Sequence, residues 1–591
     1  MPKIINRGVL QKVRESCHKA LNSEKRKILI CAGSGCIAAG SLLLYERLSD
    51  IIKIENINCS LELNEKSFDS GTVAVKKCGC IGLCCQGVLV SVEPEGWLYV
   101  NVTPSDAEEI IENTIKFGIP IERLLFREKT SDGSYGGGYS GNYGGSSGGS
   151  ILKKKDILFY KKQTRSILNY CGKIDAESIK EYFAVGGYSA FEKALFDIQS
   201  EDICKEIWYS KLRGRGGAGF PVGYKWMNVL KEEASPKYVL CNGNEGSPGA
   251  FADMALMEGV PHQIIEGMLI AAKAVGAMQG YIYIRENYHC AFDRLSIAVK
   301  QAEDYCLLGN NILGTGFNFN ITLCRGADYF ICGESSALIA SLSPEGKRAV
   351  PSAKRYHISQ RGIYEKPTLL NNAETFANVP LIINNSADWY RETGYENSTG
   401  TKLLTLTGDV VNSGLIEVNM GANLLDVIYD IGGGISNNRD IKAVQVGGPL
   451  SPFLAFEDLD IPIDFDSLTS VGASMGSGSI VVTDISHCIV ELSRFFMHFM
   501  QKESCGKCTP CREGTLHIFK ILKRITEGKG KEGDIEIIEE IADTVINTSL
   551  CGFGKSASNV LMSALKYFRD EFDDHVYNHK CVTGVCKIQD A

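Results

Sequence analysis

The sequence predicts a multidomain chain of mixed α/β and α+β character that ends in a helical domain, and three observations predict it. From Lys237 to Thr375, apolar strand-like runs alternate with polar, glycine-rich turns and with helical periodicity. A stretch with no hydrophobic periodicity, SDGSYGGGYSGNYGGSSGGS from Ser131 to Ser150, separates an N-terminal unit from the remainder. Beyond Thr483, strand patterns give way to segments whose apolar residues recur three and four apart.

At 591 residues the chain is long enough for several domains with cores of their own. A net charge of -8 argues against a nucleic-acid partner. The opening MPKIINRGVLQKVRESCHKA lacks the apolar core of a secretion signal, and no run of about eighteen apolar residues occurs, so a cytoplasmic protein without membrane insertion is expected. The 22 cysteines cluster at short spacings in a large, signal-less chain, which favours metal or iron–sulfur ligation over a disulfide framework. Cys17, Cys59, Cys171, Cys204, Cys241, Cys290, Cys306 and Cys324 lie outside the clusters and read as small buried hydrophobes.

The first unit, residues 1–128, alternates a strand at Lys27–Cys31, a helix over Ile37–Leu48, strands at Gly87–Val92 and Trp97–Val102, and a helix from about Ser105 to Phe117. Two cysteine pairs stand at strand ends: Cys31 with Cys36, and Cys80 with Cys84. Two pairs from separate loops suit a [2Fe–2S] cluster, in which each iron takes two protein ligands. Zinc competes, although the first spacing only just fits its usual pairs. Cys78 and Cys85 are adjacent extras that leave the assignment ambiguous. Residues 129–150 read as a flexible tether spanning about 25 Å, which suits a mobile domain; docking of its tyrosines on a neighbour is the competing reading.

Residues 151–395 begin with a helical approach, including a helix that starts at Asp175–Glu177 and ends at Gly186 and Gly187, and lead to LRGRGGAGFPVGYKW, Leu212–Trp226. Glycines expose backbone N–H groups, and with Arg213, Arg215 and Lys225 beside them they suit the phosphate of a nucleotide or flavin. The spacing is neither GxGxxG nor GxxxxGK[ST], so a merely flexible loop is the alternative. Further turn-rich segments follow at CNGNEGSPGAF (Cys241–Phe251), GADYFICGESSAL (Gly326–Leu338) and KPTLLNNAET (Lys366–Thr375), with a helix over Pro261–Val275 and a strand at Tyr281–Arg285. This repetition presents ligand-binding turns along one sheet edge.

Residues 396–482 alternate short strands with a helix and glycine turns. Residues 483–572 read as helical: Thr483 and Asp484 are expected to cap a helix carrying Ile485, Ile489, Leu492, Phe495, Phe496 and Phe499, whose phenylalanines suit core packing. Cys505, Cys508 and Cys511 then repeat every third residue, and Cys551 follows after a helix over Asp534–Thr548. C-x₂-C-x₂-C with a remote cysteine is a strong [4Fe–4S] signature. In the tail, residues 573–591, His575, Cys581 and Cys586 gather with Cys488 of the preceding helix; mixed ligation favours zinc, with His579 as the alternate histidine.

Taken in this order, these segments resemble the flavin subunit of the NADH dehydrogenase module of respiratory complex I. They are more closely similar to the diaphorase (beta) subunit of electron-bifurcating [FeFe]-hydrogenases and of related transhydrogenase and formate dehydrogenase complexes. The resemblance implies a thioredoxin-like [2Fe–2S] domain, a Rossmann-like FMN- and nicotinamide-binding domain, an SLBB-type β-grasp domain with a structural role, and the helical [4Fe–4S] domain. It implies that FMN is held by Gly214, Arg215, Gly216, Gly217 and Lys225, by Asn242 and Glu245, by Gly333 and Glu334, and by Asn371, Asn372 and Thr375, with Phe220 near the nicotinamide nucleotide. FMN would exchange a hydride with NAD(P)H and hand on single electrons, with no catalytic acid or base. The implied partners are other iron–sulfur or flavin subunits of a hetero-oligomeric complex, with ferredoxin as a further candidate.

Departures from the family pattern bear on the nucleotide. Asn244 and Ser247 stand where acidic residues are common, and CGEET becomes CGESS, so Ser335 replaces a glutamate implicated in holding ribose hydroxyls. Serine would not repel a 2′-phosphate, and Lys354, Arg355 and His357 add positive charge downstream. A shift toward NADPH, an electron-relay or scaffold subunit whose flavin no longer meets a nicotinamide, and drift with NADH retained are the three readings.

Overall fold

The computed structural model describes residues 3–65, 72–128, 151–342, 350–351 and 357–588. The expected tether over 129–150, and Lys354 and Arg355, lie outside them.

The first unit forms a five-stranded mixed sheet in the order Cys59–Ser60, Val73–Cys78, Arg26–Cys31, Val90–Glu93, Trp97–Tyr99. Arg26–Cys31 pairs parallel with Val73–Cys78 and antiparallel with Val90–Glu93, which buries Ile28, Leu29 and Ile30. The helix expected over Ile37–Leu48 is broken at Gly40, whose φ of 98° only glycine adopts readily, into Ser34–Ala38 and Ser41–Ile54. The strands Cys59–Ser60 and Val73–Cys78 and the helix Arg7–Ser23 are not anticipated by the sequence reading. That helix is capped by Asn6, which accepts a hydrogen bond from Val9 N at 3.0 Å. Its apolar face, Leu10, Cys17, Ala20 and Leu21, packs into the core of the following domain beside Ile179 and Phe183.

The first unit is docked, which corrects the expectation of a swinging domain. Lys76 is wholly buried between Glu24 at 2.5 Å and Glu181 at 2.6 Å. Ser34 N donates to Glu258 at 2.9 Å, and Leu415 N donates to the Gly82 carbonyl at 2.8 Å. At Gly79 an added Cβ would lie 2.5 Å from the Gly259 Cα. Glu24 and Lys76 belong to the first unit and Glu181 to the second, so undocking would break the buried Lys76–Glu181 pair and open an apolar seam.

The second unit has a sheet ordered Thr368–Asn372, Tyr238–Gly243, Gln279–Ile284, Phe317–Arg325, all parallel, closed by an antiparallel edge strand Gly309–Ile312. Helix Pro261–Val275 runs through the core almost fully buried, as its apolar content predicts. Asn372 ends the first strand and caps helix Ala373–Asn385 by accepting from Thr375 N. The third unit places a central parallel pair, Thr401–Gly408 and Ser479–Asp484, between antiparallel neighbours Gly414–Asn419 and Ile441–Val446.

Thr483 and Asp484 therefore belong to a strand rather than to a helix cap. The run SIVVT is paired on both edges, and that ladder outcompetes a local cap. Helix Ile489–Glu503 starts only after Cys488, and Ile485 is 51% exposed outside it. Ile489 and Phe496 are buried as expected, whereas Phe495 faces outward. Helices Thr509–Thr526, Asp534–Thr548, Asn559–Tyr567 and Arg569–Tyr577 complete the C-terminal bundle. Among the described residues no helix is long and apolar enough to cross a membrane.

Candidate functional site

The glycine segment folds as a hairpin. Gly214 N donates to the Phe220 carbonyl at 2.9 Å and Val222 N to that of Leu212 at 3.0 Å, so the tip Gly216–Ala218 projects over the ends of the parallel strands. It enters a solvent-open cleft of about 330 Å³. One wall is the strand ends, with Asn242, Glu245 and Asn372; another is Phe330, Gly333 and Glu334. Gly447, Ser474, Gly476 and Ser477 form a third wall from the β-grasp unit, and Gly552 and Phe553 a fourth beside Cys551.

The β-grasp wall corrects the expectation that this domain is only structural. Its signal in the sequence was the paired turns VGGP and MGSGS, as glycine-rich as the hairpin itself. Gly217 has φ 120° and a Cβ there would meet the Gly476 backbone at 3.1 Å, while Gly447 and Gly476 are so interlocked that either Cβ would fall 2.0 Å from a carbonyl oxygen. Close backbone approach requires glycine at these points.

Not every expected flavin contact reaches the cleft. The Arg215 guanidinium is turned into the core, donating to the Thr399 carbonyl at 2.6 Å and to Tyr390 Oη at 3.1 Å, so only its backbone, which donates to Thr375 Oγ1 at 2.9 Å, serves the hairpin. Asn371 is buried against Trp226 Nε1 at 3.0 Å, and Thr375 is fully buried. Phe220, Lys225 and Ser335 line a neighbouring cavity together with Tyr224, Asn228 and His357. Lys225 Nζ lies 5.5 Å from the Phe220 ring centroid, and burial pushes its pKa down because no carboxylate faces it among the described residues.

A buried carboxyl cluster underlies the cleft. Glu245 accepts from Ala252 N at 3.1 Å and Asp253 N at 2.9 Å, yet burial first and the adjacent Asp253 second hold it well above the usual range. Asp253 is pushed up to about 7 by burial and by Glu374, which Lys402 neutralises only in part. Burial and mutual repulsion thus disfavour the charged forms of Glu245 and Asp253, which weakens the negative charge they set against an anionic ligand. Asn244 Oδ1 and Ser477 Oγ, both on the cleft, are buried without partners, as expected where a polar ligand completes the wall.

The structure brings members of each expected cysteine group near one another. Cys31 accepts from the Cys36 and Cys80 thiols and from the N–H groups of Gly33 and Ile81, which hold it well below the usual thiol range. Cys80 and Cys84 stand 3.8 Å apart at sulfur. The extras turn elsewhere: Cys78 donates to the Ile30 carbonyl and Cys85 to that of Val411. Cys505, Cys508, Cys511 and Cys551 face one another at the start of Thr509–Thr526; burial and its three neighbours push Cys511 up to about 11, although Ser504 Oγ at 3.3 Å opposes the shift.

Cys488, His575, Cys581 and Cys586 bring their ligand atoms within 4.8 Å of one another. Cys488 Sγ is 3.5 Å from His575 Nε2 and 3.7 Å from Cys586 Sγ. His575 Nδ1 meets the Glu571 carbonyl at 2.6 Å, which aims Nε2 at the sulfurs. The Cys586 thiol, donating to Cys488, holds that sulfur at about 4; burial opposes protonation of His575, but the Cys488 thiolate raises it to about 9. His579 is exposed and stands outside the group.

Comparison with known proteins agrees with this geometry. Residues 207–381 match the Nuo51 FMN-binding domain, and residues 491–575 match the NADH-ubiquinone oxidoreductase-F iron-sulfur binding region. The chain is 46% identical over 428 residues to the NADP-reducing hydrogenase subunit HndC of Solidesulfovibrio fructosivorans, covering 72% of this chain and 86% of that one. It is 43% identical over 407 residues to the NADH-quinone oxidoreductase F 2 subunit of Rhizobium meliloti, covering 69% and 96%. A chain in the crystal structure of an NAD+-reducing [NiFe]-hydrogenase in the H2-reduced state superposes over 97% of this chain and 91% of its own length, with a TM-score of 0.62 and 25% identity. The chain therefore belongs to the family of NADH-quinone oxidoreductase F subunits and their hydrogenase relatives, as an oxidoreductase component that binds FMN and a [4Fe–4S] cluster.

Proposed function

We propose that the four-walled cleft is where NAD(P)H meets FMN, and that electrons leave singly through the [4Fe–4S] ligands into a multi-subunit oxidoreductase of the electron-bifurcating kind. One observation carries this reading: Phe553, two residues from Cys551, is itself a wall of the cleft, so the flavin chamber and the cluster loop share a side chain. Bound FMN supplies the exchange between a two-electron hydride and single electrons. The backbone of Gly216 and Gly217, with Asn242, Gly333, Glu334 and Asn372, would hold it; Gly214 and Arg215, whose N–H groups are taken by the Phe220 carbonyl and by Thr375 Oγ1, would with Asn371 position that frame from behind. The orphaned Asn244 and Ser477 oxygens and the glycine-only approaches fit such a group.

Phe220, Lys225, Ser335 and His357 would receive the nucleotide. Ser335 shares a cavity with Lys225, which has no carboxylate partner among the described residues; this supports NADP(H) over NADH, and the relative HndC carries an NADP-reducing name. Cys31, Cys36, Cys80 and Cys84 would hold a [2Fe–2S] cluster: their loops supply N–H groups to sulfur, and Gly87 leaves the space a Cβ would take 3.0 Å from Cys36 Sγ. Cys488, His575, Cys581 and Cys586 would hold zinc, whose tetrahedral thiolate–imidazole preference they match. Further iron–sulfur or flavin subunits, with ferredoxin among the acceptors, would complete the assembly.

Steady-state dye reduction by the FMN-loaded chain tests this. A higher kcat/KM with NADPH than with NADH is expected. A higher value with NADH overturns the nucleotide preference, and no reduction by either nucleotide with flavin fully bound would favour the relay reading.

A further inference from the structure

We propose a second ligand site, for a nucleotide-class anion with an aromatic base and phosphates, at the base of the glycine hairpin. A cavity of about 460 Å³ lies there, bounded by the end of helix Ser200–Tyr209, the hairpin residues Leu212, Arg213, Gly219 and Pro221, Arg391, and Asp466 of the β-grasp unit. It shares no lining residue with the flavin cleft or with the Phe220 cavity. It lies between two domains, where ligand pockets concentrate.

Its chemistry is specific. Trp208 and Tyr209, adjacent at the rim, are 43% and 56% exposed, so two large aromatic side chains are left uncovered beside a concavity. Three cations converge on it, Lys211, Arg213 and Arg391, against the single carboxylate of Asp466. Arg213 is committed: it donates to Asp466 at 2.8 Å and to the Gly219 carbonyl at 2.7 Å, and lies 4.5 Å over the Phe465 ring. Lys211 has no carboxylate partner among the described residues, and Arg391 has only the exposed i,i+3 pair with Asp388, which contributes little. Two available cations beside two uncovered aromatic rings match phosphate oxygens and a stacked base.

The site would also act on the cleft. Gly219 has φ 60°, and a Cβ there would lie 2.6 Å from the Phe465 ring, so the hairpin base is clamped between the cavity and the β-grasp unit. A ligand drawing Lys211 and Arg391 together would press on the strand whose tip, Gly216–Ala218, enters the flavin cleft.

Equilibrium dialysis of the FMN-loaded, cluster-replete protein against labelled ADP tests the proposal. Two classes of site are expected, one of them weakened about tenfold or more by Lys211→Glu with Arg391→Glu, while dye reduction in the absence of ADP is unchanged. Trp208→Ala should weaken the same class, which keeps the test open if the charge-reversed protein fails to fold, and Phe220→Ala should affect only the other. Inorganic pyrophosphate and adenosine should each bind the sensitive class less tightly than ADP. A single class of ADP site, insensitive to the Lys211, Arg391 and Trp208 changes, would overturn it, whatever the dye assay shows for the cleft.

Discussion

Phe330 and Phe553 pack with ring centroids 6.0 Å apart, one carried by the segment before Gly333 and the other by the short helix Gly552–Ser556 that follows Cys551. Both line the cleft proposed for the flavin, so the contact ties the second unit to the C-terminal bundle where the proposed electron path would cross.

Removing that contact should loosen the joint without touching a ligand. Phe553→Ala deletes a side chain that is 5% exposed, a change that costs about 3–5 kcal/mol in a packed core. Iron content should stay at the wild-type level because all four cysteines remain, while FMN dissociates faster and the C-terminal helices melt earlier. Flavin fluorescence after dilution, set beside thermal unfolding, reads both effects.

Restoring a carboxylate at Ser335 should reverse the nucleotide preference. Glutamate there faces the cavity of Phe220 and Lys225, where it would repel a 2′-phosphate and accept from ribose hydroxyls. We expect Ser335→Glu to shift the NADPH-to-NADH ratio of kcat/KM by about tenfold toward NADH, equivalent to about 1.4 kcal/mol. An unchanged ratio would remove Ser335 from the specificity argument.

Metal analysis should find about one zinc per chain, lost in Cys586→Ser and retained in His579→Ala, because only the former belongs to the group of four. Chelation should expose the end of helix Arg569–Tyr577 to protease before the rest of the chain unfolds, since His575 and Cys586 would lose their common anchor.

Acid should act through His262. This residue is fully buried between Tyr188 Oη, 2.8 Å from Nδ1, and Gln301, 3.1 Å from Nε2, and burial lowers its pKa from 6.5 to about 4. Above the unfolded value both states are neutral; below it the unfolded chain takes a proton that the fold refuses, so stability falls between about 6.5 and 4. The loss approaches about 3 kcal/mol at the acid end. Asp253, raised to about 7, has the opposite slope, stabilising at low pH and losing that contribution as pH rises. The difference in urea midpoint between wild type and His262→Gln across this range therefore isolates the histidine, and a difference that does not vary with pH would refute the assignment.

The cysteine spacings, the helix Pro261–Val275 and the recurring strand–turn–helix pattern were legible because each is local: thiols three residues apart, or apolar residues recurring at helical spacing, carry their meaning in the spacing itself. The helix Arg7–Ser23 was legible too, through Asn6 and the spacing of Leu10, Cys17 and Leu21, and was passed over. The strand at Ser479–Asp484 was misread as a helix cap because a Thr-Asp pair looks alike in both settings until its partners on each edge are known.

By itself, then, the sequence determined which residues could ligate metal, which backbone could approach a phosphate, and the order of the domains. Only the tertiary structure decided that the first domain is clamped through Lys76, that the β-grasp unit walls the cleft through Gly447 and Gly476, and that Arg215 turns inward. The physical reason is range. Capping, periodicity and ligand spacing are short-range along the chain, whereas burying a charge or closing a cleft depends on contacts between residues hundreds of positions apart, whose pairing the local pattern does not encode.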